Sequence, residues 1–415
     1  MKKLLVVLLA ATLLSVTSIA ARAAALESGG EIRVRGWWRD NYLKDETSHE
    51  FWDQRLRLGL NWPVAERVRV QARADILGGA WGGEDHISRQ AIVFDWANLQ
   101  FVWPGTPLLV SVGRQDVSWG TGFWVQADNR DRFQVAAKLD PVVIVFAYDK
   151  FTEVFADHGT WDDQRGWAVG AVADAVGFRF GLIAAYLKDE SRLRFPAGDL
   201  RYAAGDFFAT GRIGPAELRA EVACGSGTID RDAPLGDLDA SGLGGYAGLF
   251  LPLGPLVTLG LEGAYARGDD PETASKNEGF FAADYQGPYW SVIFYNNYDH
   301  SGYASDSQSS STDLDFSVRN AITGKFSVAC TPTKNISVTA AGLYAAADQT
   351  RDGVANAMGW EFDLVAVYGI TGNVSLTAGI GYALLGDYWK SATIAVGGGK
   401  PDNPLSGMIA FTTRF

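Results

Sequence analysis

A transmembrane antiparallel β-barrel of about 18 strands is the fold class that this sequence predicts. Residues 404–415 alternate between apolar side chains on one face and small or polar ones on the other, and the chain ends on Phe415. Residues 1–24 resemble a secretory signal peptide, and very short connections alternate with long polar ones along the remaining chain. Strands with lipid on one face and water on the other alternate in this way, so we expect an all-β barrel in the bacterial outer membrane.

The C-terminal strand has the clearest alternation. Its outward face is predicted to hold Leu405, Gly407, Ile409, Phe411, Thr413 and Phe415. The closing aromatic is similar to the sorting signal of bacterial outer-membrane barrels, so Phe411 and Phe415 are the predicted signal for the barrel-assembly machinery. An ordinary edge strand that ends in phenylalanine is the alternative.

The N-terminus predicts export. A short basic start precedes an apolar stretch over residues 4–20, and small residues at 23–25 offer a cleavage site. We therefore assign residues 1–24 to the signal peptide and residues 25–415 to a single barrel domain. A retained transmembrane helix is the alternative, but no later segment of the sequence is apolar for long enough to suggest a helical membrane protein.

The composition fits a wall with one face in water. Glycine accounts for 48 of the 415 residues and aromatics for 12%, and the mean hydropathy of -0.02 is neutral although the strands alternate locally. The formal net charge is -12 at pH 7, yet acidic residues concentrate in predicted loops and arginines in predicted strands. Cys224 and Cys330 fall on well-separated strands, so we expect free thiols that face lipid and no disulfide.

The connections set the strand count. Eight are tight turns, at residues 63–66, 104–107, 140–141, 174–176, 214–216, 252–255, 331–334 and 371–373. Nine are long, at residues 44–50, 78–88, 117–130, 152–164, 190–199, 229–239, 269–312, 348–358 and 386–403. Eight short periplasmic turns that alternate with nine long extracellular loops require 18 strands. Twenty strands are an alternative, because residues 279–285 and 289–298 could form another pair.

A barrel of this width cannot be filled by the side chains of its own wall, so an aqueous lumen is expected. Aromatic residues near the predicted strand ends indicate an interfacial girdle of Trp38, Trp62, Trp103, Trp167, Tyr186, Tyr368, Tyr382 and Trp389. Each of them could also reflect β-propensity alone.

Arginines on the first three strands are the candidate functional residues. The apolar residues between them must face lipid, because an arginine at the bilayer midplane costs about 2–4 kcal/mol. The predicted lumen-lining set is therefore Arg33, Arg35, Arg39, Arg55, Arg57, Arg67, Arg69 and Arg73. Guanidinium groups stay charged and bind carboxylates or phosphates, so this set predicts an anion path. The alternative is a mainly structural network with inward acids such as Asp53, Asp75, Asp95, Glu217 and Glu221.

The external loop at residues 269–312 is much longer than its neighbours, and loops of such length are often functional. It has a Ser-rich tail at residues 305–311. Before that tail lies a cluster of aromatic residues, Phe280, Phe281, Tyr285, Tyr289, Trp290, Phe294 and Tyr295. Rings beside a flexible hinge are typical of a gating flap, and ring faces suit sugar-like solutes. If the segment instead formed the extra strand pair, these rings would face lipid.

One family resemblance adds to this interpretation. The glycine-arginine-glutamine segment of the alginate-export family of outer-membrane channels is similar to residues 112–115, Val-Gly-Arg-Gln, followed by residues 119–122, Trp-Gly-Thr-Gly. The arginine-rich opening strands and residues 320–344 also resemble that family. The resemblance implies an 18-stranded barrel, an electropositive pore for an anionic polysaccharide, and a place for Arg114 in the lumen set. Parity places Arg114 on the lipid-facing register of Val112, so a bulge or an exit from the membrane would be needed.

Signals for catalysis or cofactors are weak. The histidines fall in predicted external loops, where solvated polar loops explain them better than a metal site; they are His49, His86, His158 and His300. Residues 237–242 mimic the start of a calcium loop but lack its closing glutamate, which leaves only weak calcium binding in external loops. We find no haem, phosphate-loop or nucleic-acid motif in the sequence. We expect no enzymatic activity, no cofactor and no metal.

The sequence therefore predicts a porin-like outer-membrane channel for passive diffusion or export of small anionic or polar solutes. The expected partners are outer-membrane lipid, lipopolysaccharide and the barrel-assembly machinery, with no nucleic acid. A structural sleeve around a periplasmic or electron-transfer protein is the main alternative, because fold alone does not fix function. An outer-membrane hydrolase is a remote alternative that would depend on the loop histidines alone.

Overall fold

Strands account for most of the chain that the structure describes. The computed structural model describes residues 25–41, 48–81, 92–153, 163–191, 198–232, 234, 236–280, 291–295, 318–390 and 402–415, so the predicted signal peptide lies outside them. The strands are β1 (Glu27–Asp40), β2 (His49–Ala65), β3 (Val68–Ala80), β4 (Val93–Val102), β5 (Leu108–Trp119), β6 (Val125–Leu139), β7 (Val142–Glu153), β8 (Asp163–Ala175), β9 (Phe178–Asp189), β10 (Gly198–Ile213), β11 (Ala216–Arg231), β12 (Leu238–Leu253), β13 (Val257–Ala266), β14 (Lys276–Asn277), β15 (Ala321–Thr333), β16 (Ile336–Ala347), β17 (Ala357–Gly369), β18 (Val374–Leu385) and β19 (Leu405–Arg414). A short 3-10 helix spans Asp387–Lys390. No helix among the described residues is long and apolar enough to cross a membrane.

The sheet closes into a barrel because its first and last strands pair. β1 pairs antiparallel with β2 on one side and with β19 on the other. Eighteen of the strands form the wall, and each pairs antiparallel with its two neighbours. The remaining strand, β14, has two residues and pairs in parallel with the external end of β12. The predicted antiparallel barrel of 18 strands is confirmed.

The twenty-strand alternative is wrong. β13 pairs directly with β15, from Val257 opposite Cys330 to Ala266 opposite Ala321, so no strand pair lies between them in the wall. The eight predicted tight turns all join consecutive wall strands. One predicted long loop is much shorter than expected, because β5 continues to Trp119 and β6 begins at Val125. The loop predicted over residues 117–130 is therefore limited to residues 120–124.

The outer face of the wall is apolar. On β1 and β2, Ile32, Trp38, Leu58 and Leu60 are 37–45% exposed, and the residues at the alternate positions, such as Arg35, Trp37 and Asp53, are buried on the inner face. The same pattern continues round the wall in Phe146, Val169, Leu182, Phe207, Val222, Leu243 and Leu261. A closed antiparallel barrel with such an exposed apolar band spans a membrane, and the architecture is that of a bacterial outer-membrane protein.

Most of the predicted aromatic girdle lies on this outer face. Exposed members are Trp38, Trp103, Tyr186, Tyr368 and Tyr382, and Trp62 and Trp167 are half-buried. The prediction for Trp389 is wrong. This residue is 1% exposed inside the barrel, where its Nε1 donates a hydrogen bond to the carbonyl of Met358 at 2.7 Å. The connection after β18 turns inward there, which a position near a strand end cannot reveal.

The C-terminal strand has the predicted register. Phe411 and Phe415 are 44% and 58% exposed on the outer face, while Ser406 and Met408 are buried on the inner face. The N–H of Phe415 donates to the carbonyl of Gly30, and the N–H of Gly30 donates back to the carbonyl of Phe415. The aromatic end of the chain therefore seals β19 against β1, while its role as an assembly signal stays a prediction.

The other predicted single residues are placed as follows. Cys224 and Cys330 are free thiols, as predicted, and Cys224 lies exposed opposite Leu243 on the outer face. His49 is the first residue of β2, and the other three histidines lie outside the described residues. The segment that resembles a calcium loop continues from Leu238 as the extended strand β12.

Candidate functional site in the barrel lumen

The arginines of the first strands share the inner face of the wall. In the pairing of β1 with β2, Arg33 lies opposite Arg55 and Arg35 lies opposite Asp53. Successive inward positions along a strand are about 7 Å apart, so the arginines of β1 form a ladder along the lumen. Arg67 lies in the tight turn between β2 and β3, at the periplasmic end. We call the eight predicted residues from Arg33 to Arg73 the arginine wall.

Four arginines of the wall are held by carboxylates. Their ion pairs are Arg35 with Asp53 at 2.9 Å, Arg55 with Glu31 at 2.6 Å, Arg57 with Asp75 at 2.6 Å and with Asp95 at 2.8 Å, and Arg73 with Asp95 at 2.9 Å. Three of these acids belong to the predicted structural network, and Glu31 is an additional member that the sequence did not indicate. Glu217 pairs with Arg219 at 2.6 Å instead, outside the wall.

Positive charge stays in excess along the wall. Within the described part of the chain, Arg33, Arg67 and Arg69 form no ion pair. Arg33 is flanked by Arg35 on its own strand and faces Arg55 across the pair. Because three of the eight guanidinium groups lack an ion pair within the described residues, positive charge is in excess along this part of the wall.

Exposure increases along the wall from its external to its periplasmic end. Arg35 and Arg39 are 7% and 8% exposed, and the guanidinium of Arg39 lies over the rings of Trp37 at 4.9 Å and Phe51 at 5.0 Å. Arg69, near the tight turn, is exposed. Cation–π contacts keep the external guanidinium groups in place, and the periplasmic ones face open water.

Arg114 does not belong to this wall. It lies opposite Asp131 on the same face as Val112 and Phe133, which are 42% and 41% exposed on the outside of the barrel. Its side chain pairs with Asp131 at 3.4 Å, and both side chains are exposed. Gly113 has a positive φ of 115°, but the strand continues without reversing its faces. The place in the lumen that the family resemblance implied for Arg114 is therefore wrong, and the parity of the strand was correct.

A segment at residues 119–125, which we call the first inward segment, crosses the lumen from β5 towards β10 and β11. The carboxylate of Glu221 accepts hydrogen bonds from the N–H groups of Thr121, Phe123 and Trp124. Phe123 is fully buried and stacks on Phe280 with ring centroids 5.7 Å apart. Gly120 has a φ of 61° and lies against Glu221, so glycine is needed for both backbone and space.

A second inward segment, residues 291–295, lies inside the barrel against β17. Glu361 accepts hydrogen bonds from the N–H groups of Ile293 and Phe294, and Glu361 itself is fully buried. Of the seven aromatic residues predicted to gate the pore, Phe280, Phe294 and Tyr295 are described, and all three are buried in the interior. The other four lie outside the described residues. The alternative in which these rings face lipid is wrong for the three that are described.

A cavity of about 710 Å³ separates the first inward segment from the inner face of β6 to β10. Its polar side contains Arg130 and Arg132, which pair with Asp149 at 3.2 Å and 2.7 Å, and its other walls are mostly apolar. None of the predicted arginines is among its described lining residues. The sequence did contain a signal, because Arg130 and Arg132 alternate with apolar or outward residues as on β1 to β3. The loop predicted over residues 117–130 includes Arg130, and the predicted lumen set therefore does not contain this pair.

The inward segments and the arginine wall divide the lumen. On one side, chain segments pack against β10 to β18, and the buried cluster there unites residues of both inward segments with Tyr388 and Trp389. On the other side, the inner face of β1 to β3 keeps its charged residues. Among the described residues, the interior of the barrel is therefore asymmetric, with packed segments on one side and the arginine wall on the other.

Solved structures share this fold. The chain is similar to OpdO of Pseudomonas aeruginosa, with a TM-score of 0.58, 14% identity, and coverage of 94% of this chain and 97% of that one. It is also similar to the outer membrane protein OpdK of Pseudomonas aeruginosa, with a TM-score of 0.58, 11% identity, and coverage of 94% of this chain and 99% of that one. A third similar structure is OccK11, or OpdR, of the same organism, with a TM-score of 0.57, 12% identity, and coverage of 94% of this chain and 96% of that one. No protein-family model and no curated protein sequence matches the chain. Identities this low show the fold alone, and the alginate-export resemblance is not confirmed.

Proposed function

We propose that this protein is a porin-like channel of the outer membrane that passes small anionic or polar solutes along the arginine wall. The observation that supports this function most directly is the excess of charge: of the eight guanidinium groups, Arg33, Arg67 and Arg69 have no ion pair in the described chain. A positively charged wall in a low-dielectric frame attracts anions and repels cations. The carboxylates hold the paired arginines in place, and Arg33, Arg67 and Arg69 supply the positive electrostatic potential.

The inward segments limit what can pass. Residues 119–125 and 291–295 occupy the interior on the side of β10 to β18, so the remaining bore suits small solutes better than a folded protein. This occupancy counts against the structural sleeve. We further propose that the solute is an anionic polysaccharide, as the alginate-export resemblance implies. The repeated carboxylates of such a polymer match a series of guanidinium groups. The proposed function is transport without catalysis.

The decisive measurement is the reversal potential of the purified protein in a planar bilayer under a potassium chloride gradient. We expect a preference for chloride, and we expect Arg33→Gln to reduce it. Arg114→Gln is the matched control, because it removes the same charge from the outer face, away from the lumen. A preference for potassium, or equal selectivity in the wild type and Arg33→Gln, would contradict the anion path.

A further inference from the structure

A row of four basic residues crosses the outside of the barrel near its external rim. Lys150 of β7 lies opposite Arg165 of β8, Arg165 lies opposite Lys188 of β9, and Lys188 lies opposite Arg201 of β10. On the preceding strand, Asp131 faces Lys150 and ends the row. With neighbouring strands about 4.8 Å apart, the four positions span about 14 Å. We call Lys150, Arg165, Lys188 and Arg201 the outer basic row.

The register places this row on the lipid side of the wall. Two residues nearer the periplasm, the same strands present Tyr148, Trp167 and Tyr186, which also lie opposite one another. These rings are in contact, with centroids 5.6 Å and 5.9 Å apart, and Tyr186 is 41% exposed. Aromatic rings of this kind mark the membrane interface. The basic row therefore lies one step outside the aromatic belt, at the level of the lipid headgroups of the external leaflet.

The row concentrates like charges on neighbouring strands. Like charges directly opposite each other on paired strands are destabilising, and here four cations follow one another without an acid between them. Glu190 is shared by Arg165 at 3.1 Å and Lys188 at 2.6 Å. Its side chain is only 4% exposed, whereas those cations keep 21% and 23% exposure.

The ends of the row are more open than its centre. Lys150 lies 3.6 Å from Asp163 and keeps 34% side-chain exposure, and Arg201 pairs with Asp230 at 3.1 Å and keeps 54%. The acids thus hold the cations from the loop side, and all four basic side chains keep part of their surface exposed. The row therefore offers an anionic group several adjacent cations at once.

We propose that the outer basic row binds the phosphate groups of a phosphorylated glycolipid in the external leaflet, as in the headgroup of lipopolysaccharide. Guanidinium groups bind phosphate oxygens in pairs and ammonium groups add point charge, and both types alternate along the row. The aromatic belt beneath it offers ring faces and apolar surface to the sugar and acyl parts of the same lipid. This inference depends on the position of the barrel in the membrane and not on the proposed channel function.

Binding of purified lipid A to the full-length protein in detergent tests the site, with native mass spectrometry as the readout. The variant is K150Q/R165Q/K188Q. The matched control is K138Q/R212Q/K334Q, which removes three charges from exposed positions at the periplasmic end. We expect the first variant to weaken binding of bisphosphorylated lipid A by at least about tenfold and the control to bind as the wild type does. Gel mobility before and after heating verifies that each barrel is folded.

Three further arms separate this site from its alternatives. Lipid A without phosphates is expected to bind weakly to the wild type, and K150R/K188R, which keeps the charge, is expected to retain binding. Millimolar inorganic phosphate is expected not to displace lipid A. If K150Q/R165Q/K188Q fails to fold, R201Q at the most exposed position supplies the test through a smaller loss of affinity. Equal binding by wild type and folded charge-removal variants, equal binding of phosphate-free lipid A, or displacement by inorganic phosphate would overturn the proposal.

Discussion

Replacing Glu221 by glutamine is the sharpest perturbation of the lumen. Glu221 holds the first inward segment through one oxygen that accepts from the N–H of Trp124 at 2.8 Å and a second that accepts from the N–H and hydroxyl of Thr121 and the N–H of Phe123. Glutamine is nearly the same size but has a single accepting oxygen. Its NH₂ group must face at least one of these N–H donors, and it carries no charge.

The magnitude follows from the bonds that are lost. A hydrogen bond to a charged group contributes about 1.5–3 kcal/mol, and a buried N–H left without an acceptor costs about 1–3 kcal/mol. If the amide oxygen takes the place beside Thr121, the hydrogen bond from Trp124 is lost, and the hydrogen bonds from Thr121 and Phe123 go to a neutral acceptor instead of a charged one. We therefore expect the balance between the inward and released segment to shift by about 2–4 kcal/mol, which is at least about a thirtyfold change in the equilibrium constant.

Single-channel recording in planar bilayers measures the consequence. We expect Glu221→Gln to show a larger or more variable conductance, because the segment leaves the lumen more often. Glu217→Gln is the matched control. Glu217 lies four residues before Glu221 on the same face of β11, and it pairs with Arg219 instead of the first inward segment. A folded Glu221→Gln barrel with wild-type conductance would refute the view that this carboxylate holds a constriction.

Two further substitutions test single contacts. Gly120→Ala adds a side chain against Glu221 at a φ of 61°, whereas Gly105→Ala adds one at a similar φ of 73° with nothing within 4 Å. Both variants carry backbone strain of about 1–2 kcal/mol, so a lower unfolding temperature for Gly120→Ala than for Gly105→Ala measures the effect of the contact alone. Equal unfolding temperatures would contradict the contact. Phe415→Ser is expected to reduce the fraction of assembled, heat-modifiable barrel, and Phe362→Ser, at another outward position that is 50% exposed, is expected not to; equal assembly of the two variants would show that the chain end has no special role.

The wall of this barrel could be predicted from the sequence because its signals are local. Alternation along each strand assigns the two faces, and proline, glycine and aspartate in the tight turns mark the ends. The outward set of β19 and the inward arginines of β1 to β3 both follow from this rule. Parity also placed Arg114 correctly, whereas the family resemblance, which rests on short motifs, did not.

The contents of the lumen could not be predicted in the same way. The hydrogen bonds that hold the first inward segment join residues about 100 positions apart in the sequence, from Thr121 to Glu221. Nothing in the alternation of β5 and β6 indicates whether their connection turns outward or inward. For the same reason the sequence does not indicate that Trp389 lies inside the barrel or that Glu361 receives the second inward segment.

The residue types on the inner face of the wall nevertheless differ between the side where the inward segments pack and the side of the arginine wall. Where the inward segments pack, many inward positions are alanine: Ala264, Ala266, Ala321, Ala345, Ala347 and Ala383 are all buried. A Cβ atom at Gly244 would meet the ring of Phe280 at 2.7 Å, and one at Gly381 would meet Val292 at 2.7 Å. On the other side, the inward positions of β1 to β3 hold arginines, which need water or carboxylates around them. A segment packed against those arginines would bury guanidinium groups, whereas the alanine and glycine positions allow close contact and the buried acids Glu221 and Glu361 accept hydrogen bonds from the N–H groups of the segments. The distribution of small and charged inward residues thus favours the side of β10 to β18 for the described inward segments, and this is the side against which they pack.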